Sequence, residues 1–401
     1  MIRLRRLARL PVRLLAFCLW ILDFFLIIFR GRRIERRDDL ACIVRIDAIG
    51  DYILFRQALR SLCFSPRLAG KKIVLCGNAV WRELAVHLDA DCFDDFISVD
   101  RCKFNASPVY RVKTLLTLKR LGAAIALHPT FSREYMGDIL IAATEAREKI
   151  GFRSLPQNIA PALKYITDKF YTELVAYPET YPFELMRNQE FLRYLGVPEQ
   201  DMQPFHLVQK PCLNSDAQGD LRMCRNLPVF FIGASEPHKR WPVACWLELA
   251  NRLAQDYGLT AVWTGGQDCK DDMRKIAARL PVGSHNLVGN TSLTELLHII
   301  ADARLVVAND SMGPHFAAML AIPHVVISNG QHLGRFLPYP TDMAPQGFAV
   351  YPNEINSASP NNIRKYYIMP KSPFPMSSIS VERVYTTLAR ILKQHVDVPI
   401  G

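Results

Sequence analysis

The stretch Leu305-Val306-Val307-Ala308-Asn309-Asp310-Ser311-Met312-Gly313-Pro314-His315 runs apolar residues straight into an acid, a hydroxyl, a glycine, a proline and a histidine. That order predicts a strand turning into a helix. Ser311 or Asp310 is placed to cap it, and Gly313 with Pro314 opens it without bulky side chains. The unpaired N–H groups and dipole of such a helix start favour an anion, and a nucleotide diphosphate suits it. Asp310 and His315 stand at the same end, placed to bind sugar hydroxyls or phosphate. The same residues also suit an ordinary capped turn.

Three further loops carry residues of comparable chemistry. In Gly233-Ala234-Ser235-Glu236-Pro237-His238-Lys239-Arg240-Trp241-Pro242, Lys239 and Arg240 precede a helix start, where a cation can neutralise a departing phosphate. A solvated basic pair is the plainer alternative. In Trp263-Thr264-Gly265-Gly266-Gln267-Asp268 the glycines permit close approach, and Gln267 or Asp268 can meet a ribose or a base; a simple turn fits equally well. In Arg45-Ile46-Asp47-Ala48-Ile49-Gly50-Asp51 two carboxylates flank Gly50. A carboxylate at a helix N-terminus stays ionised, so Asp51 is a candidate general base as well as a candidate cap.

These loops need elements to hold them. Residues 41–46, 71–77, 96–100 and 123–129 are short apolar runs, each followed by helical apolar spacing, which predicts parallel strands alternating with helices. Periodicity weakens and proline accumulates over residues 153–226, and the interdomain connection is placed near 205–226. The alternation resumes with strands at 228–234, 259–266, 285–289, 303–310 and 323–328 and helices from about 243, 268, 292 and 313. A last helical pattern, 380–395, closes the second domain or crosses back to the first. The fold class is therefore α/β with two doubly wound Rossmann-like domains. Ligands of open α/β sheets bind at the carboxyl ends of the strands, where all four loops lie.

A chain of 401 residues suits two domains. Of the net charge of +11, residues 1–37 hold +8 through ten arginines against Asp23 and Glu35, so a nucleic-acid footprint across the body is not expected. Ten scattered cysteines without a paired spacing fit a reducing compartment. The apolar run 14–29, broken by Asp23 and flanked by arginine clusters, is too short for a plain span at about 1.5 Å per residue against a hydrocarbon core of about 30 Å. It is read as a helix dipping into an anionic leaflet, with packing on the body or self-association as the alternative.

The four loops, in order and at compatible spacing over about residues 40–340, resemble the signature segments of glycosyltransferase family 9, the ADP-heptose:lipopolysaccharide heptosyltransferases. The resemblance implies a GT-B fold with two domains facing a cleft and inverting transfer without metal or resident cofactor. It implies a nucleotide-sugar donor, ADP-sugar first, and a lipid-linked glycan acceptor such as lipopolysaccharide core. On it Asp51 takes the position of the family's proposed base and Lys239 that of a donor-phosphate contact. Asp310, Ser311, Gly313 and His315 fall on the family's Asp-Thr/Ser-Gly-x-x-His donor motif, with Met312 inserted relative to its shortest form.

The expected division is a membrane-associating leader (1–37), an acceptor-side domain (38–215) and a nucleotide-sugar-binding domain (216–401), at the cytoplasmic face of a bacterial inner membrane. A nicotinamide dehydrogenase and a P-loop ATPase lack their glycine fingerprints here, as the chain has no Gly-x-Gly and no Gly-x-x-x-x-Gly-Lys. The Asp89-Ala90-Asp91 triplet follows a helix rather than a strand, against metal-dependent transfer. The rival of another class is a catalytically silent, membrane-tethered protein that binds a nucleotide-sugar or a partner enzyme.

Overall fold

The computed structural model describes residues 19, 21, 23–24, 35–155, 158–176, 182–207, 222–356 and 365–396. Most of the expected leader, and the boundary expected at 215–216, lie outside the described residues. Contacts group the chain into two compact units: Met1–Ala48, Ala58–Pro178 and Arg187–Met202 form one; Ile49–Gln57, Glu179–Met186 and Gln203–Gly401 form the other. The short segment Ile49–Gln57, which carries Asp51, thus belongs with the C-terminal unit although it follows the first strand of the N-terminal one.

Along the first half of the chain β1 (Arg37–Arg45) leads into α1 (Ile49–Ser61), followed by β2 (Lys72–Asn78), α2 (Arg82–Asp89), β3 (Asp95–Val99), α3 (Arg101–Ala106), α4 (Pro108–Arg120) and β4 (Ala123–His128). Then come α5 (Tyr135–Ala143), β5 (Glu148–Phe152), α6 (Pro161–Thr167), β6 (Glu173–Val175) and α7 (Glu184–Tyr194). Local chemistry sets the boundaries. Ser107 accepts from the Tyr110 N–H at the start of α4, where Pro108 occupies the first turn and needs no donor of its own.

The C-terminal unit repeats the pattern with β7 (Pro228–Phe231), α8 (Val243–Tyr257), β8 (Val262–Thr264), α9 (Lys270–Ile276), β9 (His285–Asn286), α10 (Leu293–Ala301) and β10 (Leu305–Asn309). It continues with α11 (Met312–Met319), β11 (His324–Ile327), β12 (Gly347–Val350), α12 (Asn353–Asn356) and α13 (Val381–Val396). Gly258, left-handed at φ 66°, ends α8, and a reciprocal Ser292–Glu295 capping box starts α10. Val384, Leu388, Ile391 and Leu392 bury one stripe of α13 in the core with Phe230, Trp246 and Trp263, so this helix closes the C-terminal unit.

Among the described residues each unit holds a six-stranded sheet, ordered β3-β2-β1-β4-β5-β6 and β12-β11-β10-β7-β8-β9. All pairings are parallel. Counted from each unit's own first strand, both orders are 3-2-1-4-5-6, which puts the topological switch points at the ends of β1 and β4 and of β7 and β10. β5, β6 and β12 went unpredicted: β5 opens on Glu148-Lys149, and β6 and β12 are short strands with partly exposed residues. Among the described residues no helix is long and apolar enough to cross a membrane.

Beyond the end of β4 the N-terminal unit buries a charged network. Arg133 Nε and Nη2 donate to the two oxygens of Asp138, each at 2.9 Å, with both side chains fully buried. Tyr171 donates to Asp138 at 2.6 Å and lies 2.6 Å from His128 Nδ1. Breaking such a pair strands a buried charge, so Asp138→Ala should cost about 3–5 kcal/mol in urea unfolding.

Burial pushes the His128 pKa down from 6.5 to about 3, against the opposing Asp138 charge. Between those values the unfolded chain binds a proton that the folded unit does not. Stability is therefore intact above pH 6.5 and falls by about 1.4 kcal/mol per pH unit toward 3 on account of this one side chain. Unfolding midpoints measured from pH 7 to 4 should show that fall, and His128→Gln should flatten it.

Candidate active site

β10 and β7 are neighbours in register, Ala308 opposite Phe231, so their loops leave the sheet side by side. Asn309, fully buried, links them: its Oδ1 accepts from the Trp241 N–H at 3.0 Å and its Nδ2 donates to the Ile232 carbonyl at 2.7 Å. α11 begins at Met312 with Gly313 in its first turn. A Cβ on Gly313 would lie 3.0 Å from Phe231 Cγ and 3.1 Å from Ala308, so glycine lets the helix start sit against the strand ends.

The expected side-chain cap is absent. Ser311 occupies the N-cap position without capping, and its hydroxyl donates to the Asn309 carbonyl at 3.2 Å. The Asp310 carboxylate accepts from Ser328 Oγ at 2.9 Å. No side-chain cap therefore competes with an anion for the first amides of α11.

His315 is buried, with Nδ1 2.6 Å from the Tyr339 hydroxyl. Burial pushes its pKa down to about 4, with Asp310 opposing and His324 and Lys239 adding to the fall. The imidazole is therefore neutral at pH 7. Burial, with Arg335 and Lys239, likewise brings His332 to about 4.

Gly50 meets this histidine directly: a Cβ there would lie 2.7 Å from His315 Cδ2. The first turn of α1, with Asp51 in it and no side-chain cap at Ala48, thereby packs on α11. Arg335 completes the arrangement. It is buried, donates to Glu184 at 2.8 Å and receives Glu184's backbone N–H on its own carbonyl at 2.8 Å. Burial opposes its charge, but the carboxylates of Glu184 and Asp51 outweigh burial and raise its pKa.

The structure thus brings Asp51, Lys239, Asp310, Ser311, Gly313 and His315 into one unit, with Lys239 close enough to act on both His315 and His332. Among the described residues no hydrogen bond or ion pair engages the Lys239 ammonium. Arg240, expected as a phosphate-neutralising cation, pairs with Asp268 and donates to the carbonyls of Ala234 and Asp268. Gln267 Nε2 donates to the Gly289 carbonyl. Gly265, where a Cβ would meet the Gly233 nitrogen at 3.4 Å, lets the second loop close on the first. Arg240, Gly265, Gln267 and Asp268 therefore brace the β7 and β8 loops.

Sequence reasoning missed Asn309, Ser328, Arg335, Tyr339 and Glu184. Only Asn309, polar at the end of an apolar strand, carried a local signal. In the N-terminal unit the switch point holds buried Arg45, paired with Asp47 at 2.7 Å and donating to the Pro129 carbonyl. Asp89 and Asp91 both pair with Arg60. Among the described residues no group of three His, Cys, Asp or Glu could hold a metal ion.

Residues 168–342 match glycosyltransferase family 9 (heptosyltransferase). The lipooligosaccharide heptosyltransferase 2 of Haemophilus ducreyi is 34% identical over 98 residues, 23% of this chain and 27% of that protein, so the match spans about a quarter of the curated relative. A family 9 glycosyl transferase structure from Veillonella parvula superposes with a TM-score of 0.67 at 16% identity, covering 90% of this chain and 100% of that one. The E. coli heptosyltransferase WaaC with ADP gives 0.60 at 15% identity, covering 89% and 99%. These two share the fold. The family match falls on the segment that holds three of the four loops, so over residues 168–342 the chain is similar to glycosyltransferase family 9, the heptosyltransferases.

Proposed function

We propose that the chain is an inverting, metal-independent glycosyltransferase that moves heptose or a related sugar from a nucleotide-sugar, ADP-sugar first, to a lipid-linked glycan such as lipopolysaccharide core. The observation that carries this reading is the close approach of Gly50 to His315, which sets the first turn holding Asp51 against the donor-motif helix. In this reading Asp51 takes the proton from an acceptor hydroxyl as that oxygen attacks the anomeric carbon in line. Asp51 stands in the first turn of α1, and its charge acts on buried Arg335.

The departing diphosphate is met by the ammonium of Lys239 and the uncapped amides of α11, which act where negative charge develops. Neutral His315 offers a ring nitrogen to a phosphate or a sugar hydroxyl without competing for Asp51's proton, and Asp310 binds sugar hydroxyls. Gln267 and Asp268 contribute through the loops they brace. The acceptor is received by the N-terminal domain, 38–215, and the donor by 216–401. The arginine-rich leader holds the enzyme on the cytoplasmic face of the inner membrane, an anionic surface.

A thermal-shift and calorimetric panel of ADP, GDP, UDP and CDP should show one preferred nucleotide, with ADP expected. Lys239→Ala should weaken its binding by about 1.5–3 kcal/mol, the worth of a charge-assisted contact. Equal indifference to all four would remove the donor site.

Asp51→Asn should lower turnover by roughly 100-fold or more with donor affinity unchanged. Gly50→Ala, which drives a methyl into His315, should lower turnover and donor affinity together. Full turnover in Asp51→Asn would rule out the base assignment.

A further inference from the structure

Asp23 interrupts the apolar run 14–29, and a carboxylate is costly in hydrocarbon. In the N-terminal unit that carboxylate is fully buried. Its Oδ1 accepts from Arg111 Nε at 2.6 Å and its Oδ2 from Nη2 at 2.5 Å, and the Tyr135 hydroxyl donates to Oδ2 at 3.0 Å. Arg111 lies on the buried face of α4 with Thr114, Leu115 and Leu118. Its guanidinium stands 4.3 Å over the Phe104 ring and Nη1 donates to the Phe104 carbonyl at 3.2 Å. Among the described residues Asp23 is the carboxylate that pairs with it.

Arg111 and Tyr135 therefore form a receptor in the body for a carboxylate in the leader. Without Asp23 the guanidinium would be a buried charge with one carbonyl for company, so the docked arrangement is strongly favoured.

The described residues around Asp23 face two ways. Leu19, one turn before Asp23, is buried like it, while Ile21 and Phe24 are 37% and 44% exposed. Arg3, Arg5, Arg6, Arg9 and Arg13 precede the apolar run and Arg30, Arg32, Arg33, Arg36 and Arg37 follow it. Apolar side chains facing outward in a segment with cationic residues at both ends match an anionic bilayer surface, where acyl chains take the apolar groups and head groups take the arginines.

We propose that Leu19, Ile21, Asp23 and Phe24 form a two-sided contact, docked on α4 and α5 by the Asp23–Arg111 pair and presenting Ile21 and Phe24 to an anionic lipid surface. The N-terminal unit then carries its lipid contact at a fixed place on its own surface and approaches the bilayer in one orientation. The proposal deepens the membrane-leader reading and is independent of the transfer chemistry.

The test is flotation of the full chain with vesicles of phosphatidylglycerol and phosphatidylethanolamine, with trypsin digestion of the leader in parallel. Wild type should float. The double variant Ile21→Ser/Phe24→Ser should bind roughly tenfold or more weakly with an unchanged melting temperature. Failure of wild type to float, or equal flotation after deletion of residues 1–37, would refute the leader reading itself. Loss on deletion but full binding by the serine variant would refute only the two-sided contact.

For the lock, Asp23→Asn should speed tryptic release of the leader in the absence of vesicles by roughly tenfold or more. The paired apolar replacement Asp23→Leu/Arg111→Met should restore protection. Unchanged release in Asp23→Asn overturns the docking assignment.

Discussion

The first turn of α1 can rest on His315 only because Gly50 has no side chain. A methyl there would push the turn away and carry Asp51 with it. His315 is itself held by the Tyr339 hydroxyl, and Tyr339 packs against Phe183 and Phe205 with ring centroids 5.0 and 5.9 Å away. Arg335 is fixed by Glu184 through both side chain and backbone. Segments far apart in sequence, 49–57, 182–186 and 328–339, thereby support one another, and none of them would find its geometry alone.

Charge is divided sharply around this contact. Arg335 is spent on carboxylates and Arg240 on Asp268, while burial keeps His315 and His332 neutral. Among the described residues no hydrogen bond or ion pair engages the Lys239 ammonium, and no side chain caps the first amides of α11. Both arginines are committed to fixed acceptors, Arg335 to Glu184 and Arg240 to Asp268 and two carbonyls. Arginine's planar fork suits several fixed acceptors at once, whereas an ammonium on a flexible stem can follow a moving one.

The alternation of strands and helices was legible because strands buried on both faces must be nearly continuous apolar runs, as in Ala41–Ile46 and Leu305–Ala308. The strand-end loops were legible because glycine, proline and capping residues mark such turns. β5, β6 and β12 escaped: short strands with exposed positions leave little pattern to read. Arg335 and Glu184 escaped for another reason. Their spacing of 151 residues leaves no trace in any local window, and a buried ion pair looks like two surface charges until the chain is folded. Asp23 was visible as an interruption, but its partner at position 111 was not.

The path of α1 also bears on how the protein is made. Tyr52, Ile53, Leu54 and Phe55 are fully buried, yet they sit in a segment grouped with residues from Gln203 onward. A nascent chain emerges at about 5–20 residues per second, so this apolar turn waits on the order of ten seconds or more for the first of those residues.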